Sequence, residues 1–75
     1  MRAFCSIYPN LQTNGNNPVF TVAYISWDGT NAPSSPTNIN GIVVTIDDSI
    51  DTIRAKAVDA IVTALSIDAK DVVLL

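Results

Sequence analysis

The 75-residue chain contains no histidine, no glutamate and a single cysteine, Cys5. Neither a zinc site nor a histidine-based catalytic triad can be assembled from such a composition. One cysteine cannot form a disulfide within the chain, and a cysteine nucleophile without a histidine base is a poor catalyst. Its position in a strand-like run predicts that Cys5 is a small buried apolar residue. We therefore expect no catalytic residue, no metal and no cofactor, and a protein that is not an enzyme.

Charge is also scarce, because charged residues make up 15% of the chain, against roughly 25% in an average soluble domain. The four cations, at positions 2, 54, 56 and 70, form no run, and the net charge is −3. Binding to a nucleic-acid backbone needs clustered lysine and arginine, so we expect no nucleic-acid partner. A small domain has a large surface for its volume, and the shortage of charge indicates that part of this surface is not in contact with water in the working state.

Long apolar runs are missing as well. No stretch approaches the length of a membrane span, and residues 1–8 are too short and too alternating for a secretory signal. We therefore expect no membrane partner and synthesis in a cytoplasm. A chain of this length supports one hydrophobic core, which predicts a single domain over residues 1–75.

The clearest element that is present is a helix over residues 48–66. Asp48 or Ser49 is suited to cap its first turn, and the carboxylates at 47, 48 and 51 suit the positive end of the helix dipole. A metal or acid/base site is the alternative for these carboxylates, and a calcium loop is excluded because its central glycine and final glutamate are missing. At helical spacing the apolar residues occupy one arc of about 160°: Ile50, Ile53, Ala57, Val58, Ala60, Ile61, Ala64 and Leu65.

The remaining chain is interpreted as strands and loops. Residues 2–8, 19–27, 42–46 and 71–75 are rich in β-branched and aromatic side chains, whereas 9–18 and 28–41 are long loops rich in Asn, Pro and Gly. A strand, a helix and a strand in series favour a crossover that leaves strands three and four parallel. The prediction is an α+β fold of order β-β-β-α-β, in which one helix packs on one face of a small mixed sheet.

A single helix covers only one face of a sheet, yet both faces of these strands carry large apolar side chains. The second face must therefore be covered by the loop of residues 28–41 or by another subunit. That loop is either an extended arm laid on a neighbour or a solvated connection. The run Val72-Val73-Leu74-Leu75 would pair with another chain if it forms an edge strand.

The expected protein interface consists of aromatic residues together with one cation and one apolar residue. Aromatic side chains are enriched at interface hot spots, and ordinary core packing is the alternative for each of them. Arg54 falls inside the apolar arc of the helix, where it either packs its stem at the sheet edge or forms an ion pair across a subunit interface. The full set is Phe4, Tyr8, Phe20, Tyr24, Trp27, Arg54 and Leu75.

Residues 41–75 also have a familiar order. The strand and turn Ile42-Val43-Val44-Thr45-Ile46-Asp47-Asp48-Ser49-Ile50 lead into the Ala/Ile-rich helix with Ile53, Arg54, Ala57 and Val58, and Ser66-Ile67-Asp68-Ala69-Lys70-Asp71-Val72-Val73-Leu74-Leu75 follow. In this layout the segment resembles small virion-associated proteins of tailed bacteriophages. The resemblance implies a capsid-decoration, cement or other structural role in the virion. It implies no catalytic residue.

Taken together, these patterns favour a structural or assembly protein that acts through protein–protein contacts. Its expected partners are copies of itself, in a homo-oligomer, or a larger structural protein such as a capsid or tail protein. As a phage component it would be made in the host cytoplasm and located in the virion. The alternative is a small inhibitor or regulatory binding module, whose acidic surface or long loop plugs a partner's site.

Overall fold

A computed structural model of the chain describes residues 1–8, 12–14 and 17–75. The elements in chain order are five strands, one α-helix and a single 3₁₀ turn over Ala69–Asp71. The strands are β1 (Arg2–Ile7), β2 (Gln12–Asn14), β3 (Asn17–Trp27), β4 (Thr37–Val43) and β5 (Val72–Leu74), and the helix is α1 (Ile50–Leu65). The predicted α+β fold, with one helix beside a small mixed sheet, is confirmed.

The long strand β3 forms the centre of the sheet. It pairs antiparallel with β1, β2 and β4, while β5 pairs parallel with β1. Val19 pairs with both β2 and β4, and Val22 pairs with both β1 and β4. Since a strand has only two edges, β1 and β2 share one edge of β3 and β4 occupies the other. The sheet order is therefore β4-β3-β1-β5, with β2 continuing the line of β1.

The strands before and after the helix run in the same direction, as the crossover predicts, but they are not neighbours. β4 is antiparallel to β3, β3 is antiparallel to β1, and β1 is parallel to β5. The connection through α1 thus passes over both central strands. Strands β1 and β3 occupy the middle of the sheet. Strand β3 pairs with β1 along one edge and with β4 along the other.

The third expected strand lies earlier than predicted, at Thr37–Val43 instead of 42–46. The loop expected over 28–41 is consequently shorter and covers 28–36. Backbone pairing with β3 decides this boundary, because Thr37, Asn38 and Ile39 are in register with Tyr24, Ala23 and Val22. The loop expected over 9–18 contains β2 and the start of β3, and residues 9–11 and 15–16 lie outside the described part of the chain.

The helix begins and ends as capping rules predict. Its N-cap is Ser49, whose hydroxyl oxygen accepts a hydrogen bond from the Thr52 backbone N–H at 3.2 Å. At the other end Ser66 adopts the left-handed conformation, with φ of 55°, and donates its N–H to the Val62 carbonyl oxygen at 2.9 Å. The prediction that Asp48 or Ser49 caps the helix is therefore confirmed for Ser49.

The core lies between α1 and the face of the sheet that α1 covers. Ala57 and Ile61 of the helix are fully buried there. Small side chains at the contact, such as Ala3 and Ala57, allow the helix to approach the sheet closely. The buried residues of this cluster are Ala3, Cys5, Phe20, Val22, Val44, Ala57 and Ile61.

Candidate protein interface

Among residues 1–8, 12–14 and 17–75, no helix packs on the opposite side of the sheet, which we call the open face. Directly paired residues of neighbouring strands project to the same side of a sheet. Because Arg2 pairs with Trp27 and Phe4 pairs with Ile25, these four side chains share the open face. The register assigns this face the residues Arg2, Phe4 and Ser6 of β1, Ala23, Ile25 and Trp27 of β3, and Val73 of β5.

The open face displays an apolar patch. Trp27 is 41% exposed, and Tyr8, whose N–H donates to the Thr21 carbonyl oxygen, is 46% exposed. Phe4 of β1 and Ile25 of β3 are directly paired, and both side chains are half-buried. A shallow hollow of about 190 Å³ lies at the centre of the face. It is lined by Phe4, Ser6, Ala23, Tyr24, Ile25, Pro36 and Leu75, and Leu75 at its border is 82% exposed.

The β4 side of the open face is polar. Asn38 pairs with Ala23, and the hydroxyl of Thr21 donates a hydrogen bond to Asn40 Oδ1 at 2.9 Å. The pairing with Ala23 puts Asn38 on this face, and the hydrogen bond to Thr21 puts Asn40 there. The expectation of an apolar second face therefore holds around Phe4, Ile25 and Trp27, while β4 gives the patch a polar border.

The loop of residues 28–36 runs beside the sheet. The Ser34 N–H donates to the Ser26 carbonyl oxygen at 2.9 Å, and the Ser26 N–H donates to Ser34 Oγ at 2.9 Å. Backbone groups at a strand edge point within the plane of the sheet, so these bonds hold the loop along β3, beyond the end of β4. Pro36 is the loop residue that lines the hollow, and the patch itself stays accessible.

A tight turn at the end of β3 presents Trp27. Asp28 Oδ1 accepts the backbone N–H groups of Thr30 and Asn31, each at 2.8 Å, and Oδ2 accepts Asn31 Nδ2 at 2.9 Å. These hydrogen bonds, first that from Thr30, lower the pKa of Asp28 to about 2. Gly29 turns the chain at a φ of +90°.

The same turn satisfies the polar end of the tryptophan. Trp27 Nε1 donates to the Asn31 carbonyl oxygen at 2.6 Å. The indole N–H is thereby satisfied within the chain. The exposed part of the ring is a largely hydrocarbon surface. Beside it lies a second hollow of about 320 Å³ lined by Met1, Arg2, Phe4, Trp27, Asp28 and Gly29.

Asp48 belongs to a separate polar cluster at the start of the helix. It accepts hydrogen bonds from Lys56 Nζ and from the backbone N–H of Thr45, the latter at 2.9 Å. These contacts, Lys56 first, hold the pKa of the Asp48 carboxyl below its usual value. Lys56 Nζ also donates to the Val43 carbonyl oxygen at 2.9 Å. The cluster ties β4 to α1, so the carboxylate at 48 has a structural role.

The seven residues expected at an interface divide into three groups. Phe4, Tyr8 and Trp27 lie on the open face, and Leu75 borders it. Arg54 is exposed on α1 and has no ion-pair partner among the residues that the structure describes.

Phe20 requires a correction, and both Phe20 and Tyr24 are in register with the face covered by α1. Tyr24 is nevertheless partly exposed and lines the hollow of the open face. Phe20 is 2% exposed and belongs to the core, so it cannot contact a partner of the folded chain. Tyr24 pairs with the buried Cys5 and is half-buried against the same core. Sequence reasoning missed Ile25, Val73 and Pro36. Strand register brings Ile25 and Val73 to the open face, and the loop of residues 28–36 brings Pro36 to the hollow.

Over residues 1–8, 12–14 and 17–75, no three His, Cys, Asp or Glu side chains are grouped so that they could hold a metal ion. Nor does the same part of the chain contain a helix with the length and hydropathy of a membrane-crossing segment. Comparison of the chain with protein-family models, curated proteins and solved structures finds no match.

Proposed function

We propose that this chain is a structural or assembly protein that acts through protein–protein contacts of its open face, as a phage virion component such as a capsid-decoration or cement subunit. The observation that carries the proposal is the accessible patch around Phe4, Ile25 and Trp27 beside the hollow at Leu75. Exposed contiguous apolar patches with polar borders mark interaction sites.

The chemistry of the patch suits a protein partner. Aromatic anchors contribute most to binding when they are surrounded by polar residues that exclude water. Here Trp27 and Tyr8 are the exposed aromatic residues, and Asn38, Asn40 and Thr21 form a neutral polar border. The indole N–H is already satisfied by Asn31, so a partner can cover the ring without leaving a buried donor unpaired.

The virion setting rests on the resemblance of residues 41–75 to small virion-associated proteins of tailed phages. Particles purified from the source of this sequence should contain the chain in a fixed copy number by quantitative mass spectrometry. Absence from such particles contradicts the virion setting and leaves the contact role of the open face to be judged on binding alone.

Binding through the open face is tested with paired surface variants. Trp27→Ser and Tyr8→Ser remove exposed apolar area from the patch, whereas Ile46→Ser removes a fully exposed apolar residue from the β4–α1 connection. Light scattering over a concentration series measures self-association, and cosedimentation with particles measures scaffold binding. We expect the patch variants to weaken association at least about tenfold and the Ile46 variant to leave it unchanged. A wild-type chain that associates with neither copies nor particles would falsify the proposal.

A further inference from the structure

We propose that the open face binds a second copy of this chain, with a two-fold axis parallel to β1 and β3 that places Arg2 of each copy against Trp27 and Asp28 of the other. The inference rests on the proposed function, and it names the partner of the same surface.

The charges of the open face support this arrangement. Arg2 pairs with Trp27 in the β1–β3 ladder, and Arg2, Trp27 and Asp28 line one hollow, so one cation and one anion lie at the same end of the face. Within the described residues these two groups form no salt bridge with each other. The Arg2 guanidinium and Asp28 Oδ2, which accepts one hydrogen bond from Asn31 Nδ2, can each still bind a group on a second molecule.

Symmetry decides which orientation pairs the charges. A two-fold axis parallel to the strands, between β1 and β3, keeps like ends together and exchanges the two strands. Arg2 then meets Trp27 and Asp28 of the second copy, and Phe4 meets its Ile25. An axis perpendicular to the strands would instead bring Arg2 to the end with Tyr8 and Thr21, where the described open-face residues include no acid.

The contact also suits the shapes and the charges of the groups. A guanidinium stacks favourably on an indole face, and the hollow of about 320 Å³ beside Trp27 leaves room for it. Hydrogen bonds from the turn hold Asp28 ionised at neutral pH, with a pKa of about 2. Ser6 and Ala23 are directly paired on the open face and have small side chains. They leave space in which Phe4 and Ile25 can interdigitate with Ile25 and Phe4 of the second copy.

The available area indicates a weak dimer. Six residues at about 3.3 Å and four strands at about 4.8 Å give a footprint of roughly 20 by 19 Å on each copy. Burial on the order of 1,000 Å² in total lies at the lower limit for a specific interface. The dimer should therefore form at micromolar or higher concentrations.

A double-mutant cycle on the dimer dissociation constant tests the contact. Arg2→Gln should weaken dimerisation about tenfold, and Asp28→Asn, which keeps an oxygen for the turn, should weaken it by a similar factor. Because the two groups meet across the axis, the double variant should be little worse than either single variant. Lys70→Gln removes an exposed cation from the 3₁₀ turn and serves as the matched control.

A distance measurement tests the orientation. Thr30→Cys carries a spin label at the turn, and the native Cys5 is buried and stays unlabelled. The parallel axis predicts two labels within about 20 Å, whereas the perpendicular axis predicts more than about 30 Å. A short distance with coupled charges supports the inference. A long distance between the labels, or additive effects of the two charge substitutions, would overturn the inference. In that case self-association through the open face would still support the proposed function.

A monomer at every concentration would also overturn the inference. If that monomer still binds particles and loses binding on Trp27→Ser, the proposed function stands with a different partner. If it binds neither copies nor particles, the proposed function fails together with the inference.

Discussion

Both faces of the sheet carry apolar side chains, yet only one is covered by the helix. Phe20 and Trp27 are aromatic residues of the same strand, and they are 2% and 41% exposed. On β1, the covered face has Ala3 and Cys5, while the open face has Arg2 and Phe4. Small residues at this contact let Ala57 of the helix approach the sheet, and the larger Phe20 fills the core beside it. The small apolar residues on the covered side of β1, against the charged Arg2 on its open side, therefore favour packing of the helix on the covered face.

The largest expected difference between the faces comes from deleting one large side chain on each. Phe20→Ala opens a cavity in the covered core and should lower the free energy of unfolding by about 3–5 kcal/mol. Ile25→Ala, on the half-buried open face, should cost roughly 1–2 kcal/mol. Urea denaturation followed by circular dichroism measures both. Equal losses would show that the open face is packed as tightly as the core. If Phe20→Ala does not fold, Phe20→Leu provides a milder comparison.

A smaller effect is expected from enlarging the small residue at the helix contact. Ala57 is fully buried against the sheet, so Ala57→Leu should overpack the core and destabilise the fold by about 1–3 kcal/mol. Ala64 is exposed on the same helix, and Ala64→Leu should change the stability by less than about 0.5 kcal/mol. Thermal denaturation of the two variants compares them directly. A tolerated leucine at 57 would contradict the idea that small residues select the covered face.

The smallest effect is the dependence of stability on acid. Asp28 beside the open face and Asp48 at the start of the helix have lowered pKa values in the folded chain. A carboxyl with a lowered pKa stabilises the fold above its unfolded value of about 3.9, and this contribution is lost as the pH falls further. For Asp28 the loss is complete only below about pH 2. Asp28→Asn and Asp48→Asn should each flatten the decline of the urea midpoint over this range.

Asn31→Ala provides the internal control for the acid experiment. It removes one donor to Asp28 and leaves the two backbone N–H donors in place. The acid decline should therefore be reduced by less than in Asp28→Asn. An unchanged decline in every variant would show that neither cluster stabilises the fold through its charge.

Local patterns predicted the helix and its cap well. The apolar spacing from Ile50 to Leu65 and the hydroxyl of Ser49 act within a few residues, so the sequence alone contains the information. The start of β4 depends instead on a distant strand. Asn38 and Asn40 have low strand propensity, and they belong to a strand because β3 offers backbone groups with which β4 pairs.

Long-range pairing also explains why Phe20, which was predicted at the interface, is buried in the core. Alternation along β3 places Phe20 and Trp27 on opposite faces, but it does not say which face the helix covers. The helix packs on the side of Ala3, Cys5 and Phe20. The side chains of Phe20 and Tyr24 therefore pack against the core. The parallel pairing of β5 with β1 likewise brings Val73 beside Phe4, a contact between residues that are far apart in the chain.

The position of Trp27 makes the intrinsic fluorescence of the protein sensitive to coverage of the open face. It is the only tryptophan, and its ring lies on the open face, 41% exposed to solvent and bonded to Asn31. Unfolding should change its emission wavelength little, since the indole already meets water in the native chain. Coverage by another molecule should instead shift the emission to shorter wavelength. Intrinsic fluorescence therefore records the docking of this protein, whereas circular dichroism records its folding.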